Sequence, residues 1–351
     1  MMQRKLTFSI PVVCCLISIW LYFLFSPVVV ENSGYTYYVK PGSSKHVVIL
    51  DLNQRGIITH PIALWLYAFP QLNASLKTGE YQFKKGSTPH SIWKQITTGT
   101  GKFYRPIAII PGWTFKQLRA ELLKLEGLVH TTATWTDEEI MQRLGYPTLS
   151  AEGEFFPDTY KYTRDDVDFI ILKKAFHLMQ RKLNQVWENK VEGLPYKTPY
   201  EALIVASIIE REAYLDSERP VIAGVLMNRL RKDMLLQVDA TVIYGLGSRY
   251  DGKIYKQNLL EDTAYNTYLH KGLPPTPIAL PGLSSLKAAT HPEQNVFYYY
   301  VAKGDGGHAF SSTLNEHHAV IESLKKQDSH FSKGVEYYFY RGAANGNGKI
   351  N

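Results

Sequence analysis

The sequence predicts an α+β protein with an N-terminal transmembrane helix, a small α+β unit and a larger, mainly helical domain with some strands. Three observations predict this class: an uncharged apolar run near the amino end, a strand-turn-helix pattern that occurs three times, and helical apolar patterns broken by Gly and Pro after Gly127. The 351 residues are 45% apolar and include only two cysteines. This composition excludes a disordered chain and a small disulfide-stapled module.

The apolar run from Leu6 to Phe25 is the predicted membrane anchor. No Asp, Glu, Lys or Arg occurs from Leu6 to Val30, and twenty helical residues span roughly 30 Å, the hydrocarbon thickness of a bilayer. Because Arg4 and Lys5 precede the run, we expect a single pass through the inner membrane with the amino end cytoplasmic and the remaining chain periplasmic. A cleaved signal peptide is the alternative, but its apolar core would be unusually long and no A-x-A-like site follows.

The chain has a net charge of +7 at pH 7, and the part expected outside the membrane keeps +5 once Arg4 and Lys5 are left out, an excess that suits an anionic partner. Outside the membrane the available polyanions are lipid headgroups and cell-wall polymers, so nucleic acid is not an expected partner. The alternative is a basic surface that only keeps the protein soluble.

The small α+β unit is predicted from three similar segments. Each reads as a short strand, a glycine turn, a Ser or Thr cap and a helical apolar pattern. In the middle segment Thr88 can cap a helix whose first residue is Pro89. The strands are predicted at residues 37–40, 81–84 and 107–110.

The stretch from Gly79 to Gly99 resembles the strand and helix half of a LysM module, a fold that holds glycan chains containing N-acetylglucosamine. The resemblance covers about residues 35–100 and implies glycan affinity, with a purely structural spacer as the alternative. The chain is accordingly divided into a membrane anchor (1–30), a LysM-like domain (31–105), a larger domain (106–335) and a disordered Gly/Asn-rich tail (336–351).

A dense aromatic stretch runs from Ala151 to Thr163. Aromatic faces stack on sugar rings, so the stretch could contact a glycan, and a packed cluster is the alternative.

One helix of the larger domain carries the candidate acid. Thr198, Pro199 and Glu201 form the pattern of a capping box with Pro at the first helical position. The helix has almost no polar residue before Glu210, and helical spacing places Glu210 on a stripe of small residues. Small neighbours leave room for a substrate, and apolar surroundings raise the pKa of a Glu toward the range of a proton donor. The alternative is a buried ion pair between Glu210 and Arg229.

An ordered set of motifs resembles the YceG-like family over most of the chain. The motifs are ASIIER at 206–211, Asn228-Arg229-Leu230, Leu236 to Gly245, Thr263 to Tyr268, Gly272 to Pro275, Pro281-Gly282, Ser285 to Ala289, His291-Pro292 and Gly306 to Phe310. The resemblance implies an enzyme that cuts inside peptidoglycan glycan strands, between N-acetylmuramic acid and N-acetylglucosamine. It would use no water, leave a 1,6-anhydro ring and thereby end the growth of nascent strands. The family's catalytic glutamate maps onto Glu210, and cell-wall synthases such as penicillin-binding proteins are expected partners.

Five further residues are predicted to bind substrate from their positions in these motifs. Gln237 and Asp239 are expected to orient Glu210 or the sugar, and Asn266, Tyr268 and His308 are expected to line the cleft. For each, a structural hydrogen bond in a loop is the alternative.

Two other functions stay open on the sequence. A muramidase-like hydrolase would use Asp239 as its second carboxylate, and a non-catalytic scaffold would bind glycan to position synthases. No metal or cofactor is expected, because the adjacent His317 and His318 lack the ligand spacing of a zinc site.

Overall fold

The computed structural model describes residues 3–28, 34–71 and 75–327, with side chains described from residue 10 onward. Two compact units divide the chain. The first consists of Met1–Ile107, Glu126–Val129 and Lys161–Val167, and the second consists of the remaining three segments, 108–125, 130–160 and 168–351. The predicted tail (336–351) lies outside the described residues, and the four-domain assignment stays a prediction.

The first unit contains a two-stranded antiparallel sheet with helices around it. Its elements are α1 (Gln3–Phe25), β1 (Tyr35–Val39), α2 (Lys45–Gln54), α3 (Pro61–Ala68), β2 (Gly79–Phe83), α4 (Pro89–Thr98) and β3 (Arg105–Ala108). Strands β1 and β2 pair from Tyr35 opposite Phe83 to Val39 opposite Gly79. The core beneath them contains fully buried Trp93, with Tyr81 and Phe83 beside it.

Helix α1 covers most of the predicted anchor. Near its end the indole N–H of Trp20 donates to the carbonyl of Ala63 (2.9 Å), and Leu24 is buried in the core of the first unit. Among the residues described, no helix combines the length and the apolar character needed to cross a bilayer. The predicted transmembrane span is therefore not supported by the structure.

The three predicted strand-turn-helix segments are confirmed. Ser44, Thr88 and Thr114 cap α2, α4 and α5 (Phe115–Leu122), each side chain accepting a hydrogen bond from the backbone N–H three residues later. The three strands begin two residues earlier than predicted. The turn between each strand and its helix uses left-handed backbone, which favours glycine. The residues are Gly42 (φ +75°), Gly86 (φ +86°) and Gly112 (φ +82°).

The second unit is mainly helical, as predicted. After α5 its elements are α6 (Asp137–Leu144), β4 (Thr159–Tyr162), α7 (Asp168–Glu188), α8 (Pro199–Glu212), α9 (Arg219–Arg231), α10 (Asp239–Leu246), α11 (Lys256–Leu259), α12 (Leu283–Thr290), β5 (Tyr299–Ala302), β6 (His308–Ser311) and α13 (Leu314–Gln327). Strands β3 and β4 pair with each other, and β5 pairs antiparallel with β6.

Helix α8 is the central element of the second unit. Thr198 caps it through the predicted capping box with Glu201, and every residue from 202 to 209 is buried. Apolar residues of α7, α9 and α12 pack around it in one core cluster. The last turn of α8, which carries Glu210, is thus held on a rigid support.

The aromatic stretch at 151–163 is a packed cluster, so its rings do not provide a sugar-stacking surface. Phe155 is fully buried and stacks on Phe115 with ring centroids 4.7 Å apart. The hydroxyl of buried Tyr160 donates to the carbonyl of Phe156 (2.7 Å). Phe115 of α5 and Phe176 of α7 both contact the Phe155 ring, which is therefore closed to a sugar.

Candidate active site

The carboxyl of Glu210 lies at the amino end of α12. Its Oε2 accepts hydrogen bonds from the backbone N–H of Gly282 and from the hydroxyl of Ser285, both at 2.8 Å. Gly282 is the N-cap of α12, so the carboxyl meets the free N–H groups and positive dipole end of that helix. The side chain of Glu210 is only 6% exposed, and these contacts fix its orientation.

A partly buried arginine completes the set of donors. Arg219 Nη2 lies 3.2 Å from Glu210 Oε1, and its Nη1 donates to the Ser285 hydroxyl (2.5 Å). Its Nε donates to Asp216 Oδ1 (2.7 Å). With the Arg219 side chain 11% exposed, the guanidinium balances two carboxylates and holds the hydroxyl that points at Glu210.

The predicted surroundings of Glu210 are corrected in two respects. Its oxygens lie against hydrogen-bond donors instead of an apolar niche, and the ion-pair partner is Arg219, not Arg229. Arg229 donates instead to the carbonyls of Tyr298 (2.6 Å) and Leu236 (3.0 Å). Spacing along α8 predicts only the neighbours on that helix, whereas the donors are Arg219 at the start of α9 and Gly282 and Ser285 at the start of α12.

Gln237 and Asp239 lie at the start of α10. The amide oxygen of Gln237 accepts from Arg229 Nη1 (3.1 Å), and its backbone is left-handed (φ +52°). Asp239 accepts a hydrogen bond from the hydroxyl of Tyr268, so two of the predicted substrate-binding residues do contact each other. Neither is among the hydrogen-bond partners of Glu210 in the described part of the chain.

Asn266 and His308 make contacts typical of the structural alternative. Asn266 is fully buried, and its amide donates to the carbonyls of Leu259 (3.0 Å) and Glu261 (2.7 Å). His308 Nδ1 lies 2.7 Å from Glu218 Oε2, and the same carboxyl accepts the His308 backbone N–H. A substrate-binding role for these residues stays a prediction.

Two buried carboxyls were missed by the sequence analysis. Burial raises the pKa of Glu152 to about 7, although hydrogen bonds from the Phe115 N–H (3.0 Å) and the Tyr244 hydroxyl (3.1 Å) oppose the shift. Burial likewise raises the pKa of Glu154 to about 8, opposed by a hydrogen bond from Gln180 (2.5 Å). The available signal was two Glu residues inside the aromatic stretch, where only the rings were considered.

Comparisons with known proteins agree on one family. The family model described as YceG-like family matches residues 37–323. The endolytic murein transglycosylase of Bacillus subtilis (strain 168) is 29% identical over 308 residues, covering 81% of this chain and 83% of that protein. The endolytic murein transglycosylase of Streptococcus pneumoniae serotype 2 (strain D39) is 25% identical over 312 residues, covering 80% of this chain and 56% of that protein.

A solved structure gives the same result. A crystal structure of the yceG-like protein lmo1499 from Listeria monocytogenes is 26% identical, with a TM-score of 0.51, and the match covers 83% of this chain and all of that one. Since the family model matches well over half of its residues, the chain belongs to the YceG-like family.

Proposed function

We propose that this protein is an endolytic lytic transglycosylase that cleaves the bond between N-acetylmuramic acid and N-acetylglucosamine within peptidoglycan strands. Family membership and two relatives named endolytic murein transglycosylase support the proposal. The observation that carries it is the single carboxyl of Glu210, fixed by Gly282, Ser285 and Arg219 at the end of a rigid helix. Fixed geometry of this kind is what a proton donor needs.

The reaction needs one carboxyl that acts twice. Protonated Glu210 donates its proton to the glycosidic oxygen while the bond to C1 of the muramic residue breaks, and the bonding electrons leave with that oxygen. The resulting carboxylate removes the proton from the C6 hydroxyl of the same sugar, whose oxygen closes on C1. Because the attacking hydroxyl already belongs to the substrate, proximity is built in and no water is consumed.

The donors around Glu210 suit the second half of this cycle. They stabilise the carboxylate that remains after the first proton transfer and keep it oriented toward the sugar. Oε2 already accepts two hydrogen bonds, so Oε1 is the oxygen left to meet the substrate. Substrate binding must then displace the longer 3.2 Å contact between Oε1 and Arg219. Arg219, Ser285 and Gly282 are therefore positioning residues.

Mass analysis of digested peptidoglycan tests the proposal. We expect fragments that end in 1,6-anhydro-N-acetylmuramic acid, each lighter by one water than a hydrolytic product. Reducing ends would instead establish a hydrolase, in which a second carboxyl such as Asp239 activates water. Unchanged glycan would exclude both enzymes and leave the non-catalytic glycan-binding scaffold as the remaining function.

We further propose that residues 1–30 anchor the protein in the inner membrane, with the catalytic domain in the periplasm near cell-wall synthases. The support is the sequence, in which Leu6 to Val30 carries no charged residue and follows Arg4 and Lys5. The full chain is expected to stay with membranes after a high-salt wash, whereas a chain beginning at residue 31 should be soluble. Recovery of the full chain in the soluble fraction would refute the anchor.

A further inference from the structure

The second unit contains a cleft of about 880 Å³ beside the catalytic helix. The amino ends of α5 and α6, the segment 147–152 and helix α10 surround it. Its volume lies within the range of small-molecule and sugar sites, about 300–1,000 Å³. Nothing in the proposed chemistry of Glu210 uses this space.

The cleft meets α8 at the position next to the candidate catalytic carboxyl. Arg211, the residue after Glu210, lines it, and so does Ile278. The backbone N–H of Ile278 donates to the hydroxyl of Ser207, which lies three residues before Glu210 on α8 (3.0 Å). Glu210 itself is not among the residues that line the cleft, so a sugar bound there is not the one that is cleaved.

Two cations line this cleft. Arg211 and Lys116 are both exposed, and Arg211 Nη1 donates to the carbonyl of Gly112 (3.2 Å). Within the residues that the structure describes, neither forms a salt bridge of 4 Å or less. Both charges are thus available to an anionic ligand.

The carboxyls of the cleft do not neutralise these cations. Asp137 pairs with Arg119 (2.5 Å), and Glu152 is buried against Phe115 and Tyr244. Glu138 is exposed, and its pKa is lowered by hydrogen bonds within the first turn of α6. Asp137 and Glu138 are both exposed, but Arg119 balances Asp137, so Glu138 alone is left against Lys116 and Arg211 and the local charge is positive by one.

We propose that this cleft is a subsite for a muramoyl unit, whose carboxylate is bound by Arg211 and Lys116. The inference rests on the proposed function, because it assigns a position for the same glycan strand. A guanidinium binds a carboxylate through two parallel hydrogen bonds, and an ammonium adds a point charge. N-acetylglucosamine has no carboxylate, so the pair selects muramoyl units and sets the register of the strand against Glu210. In a strand with stem peptides the lactyl carboxyl is an amide, so the carboxylate there belongs to the stem peptide; after stem removal it belongs to the lactyl group.

Binding measured without cleavage tests this subsite. The variants Arg211→Met and Lys116→Met, alone and together, are placed in the Glu210→Gln chain, and Lys174→Met is the matched control because Lys174 is an exposed lysine on α7. The probes are strand fragments with stem peptides, the same fragments after stem removal, and a chitooligosaccharide of equal length. The double variant is expected to bind the fragments with stem peptides about tenfold more weakly, with a smaller dependence on salt. It should bind the chitooligosaccharide as the control does.

The outcomes separate the ligand sources. Weaker binding of the stem-bearing probe assigns the carboxylate to the stem peptide, and weaker binding of the stem-free probe alone assigns the lactyl carboxylate, which is free only after stem removal. Unchanged binding of both probes, or an equal loss for the uncharged chitooligosaccharide, overturns the proposal. If the subsite variants behave as expected but the natural chain releases no anhydro product, the subsite stands and the proposed function fails.

Discussion

Glu210→Gln is expected to slow the release of anhydro-ended fragments by at least about a hundredfold, the typical contribution of general acid catalysis. The amide has the shape of the carboxyl, so its oxygen can still accept hydrogen bonds from Gly282 and Ser285. The glutamine side chain has no acidic proton to donate, and it lacks the negative charge that Arg219 balances in the natural protein. The variant should therefore fold and bind glycan, which thermal melting and a binding assay with intact strands can check.

The matched control is Glu212→Gln on the same helix turn. Glu212 accepts a hydrogen bond from the Tyr300 hydroxyl (2.8 Å), and an amide oxygen can accept the same bond. We expect this variant to cleave at close to the natural rate. Natural activity in Glu210→Gln would show that another group supplies the proton, and equal losses in both variants would indicate general damage to α8.

The parts of this fold that the sequence predicted are those decided by neighbours along the chain. A Ser or Thr before a helix accepts a bond from its own first turn, so Thr88, Thr114 and Thr198 could be identified as caps without any tertiary information. The glycines in left-handed turns can also be identified from the local sequence, because other residues rarely adopt that backbone conformation. The position of Glu210 on a face of α8 also follows from local spacing alone.

The environment of Glu210 depends on residues distant in sequence. Gly282 and Ser285 reach it from α12, more than seventy residues later, and Arg219 reaches it only because the chain reverses after α8. Helical periodicity describes one element, so it predicted only the small neighbours on α8, and the ion pair with Arg229 that was weighed as the alternative named the wrong arginine of α9. The motif positions did include Gly282 and Ser285, but nothing in the spacing showed which side chain they contact.

Glu154→Gln is expected to stabilise the protein in alkaline solution and to have little effect in acid. Burial raises the pKa of Glu154 from about 4.5 to about 8 in the folded protein, so the folded state holds its proton where the unfolded chain has lost it. The free energy of unfolding therefore falls as the pH rises between these two values and stays low above them. The full loss is roughly 2–5 kcal/mol, since each pKa unit corresponds to about 1.4 kcal/mol.

The glutamine variant avoids this loss because it never ionises. Its amide oxygen can still accept the hydrogen bond from Gln180, and it matches the shape of the protonated carboxyl that the natural protein holds at low pH. The melting temperatures of the two proteins should be close at pH 4.5 and differ by on the order of 10 °C at pH 9. The exposed Glu192 provides the control, since Glu192→Gln removes the same formal charge without removing a buried acid. A difference between Glu154→Gln and the natural protein that is the same at both pH values would contradict a proton held at this site, because only a group that titrates between them can make stability depend on pH.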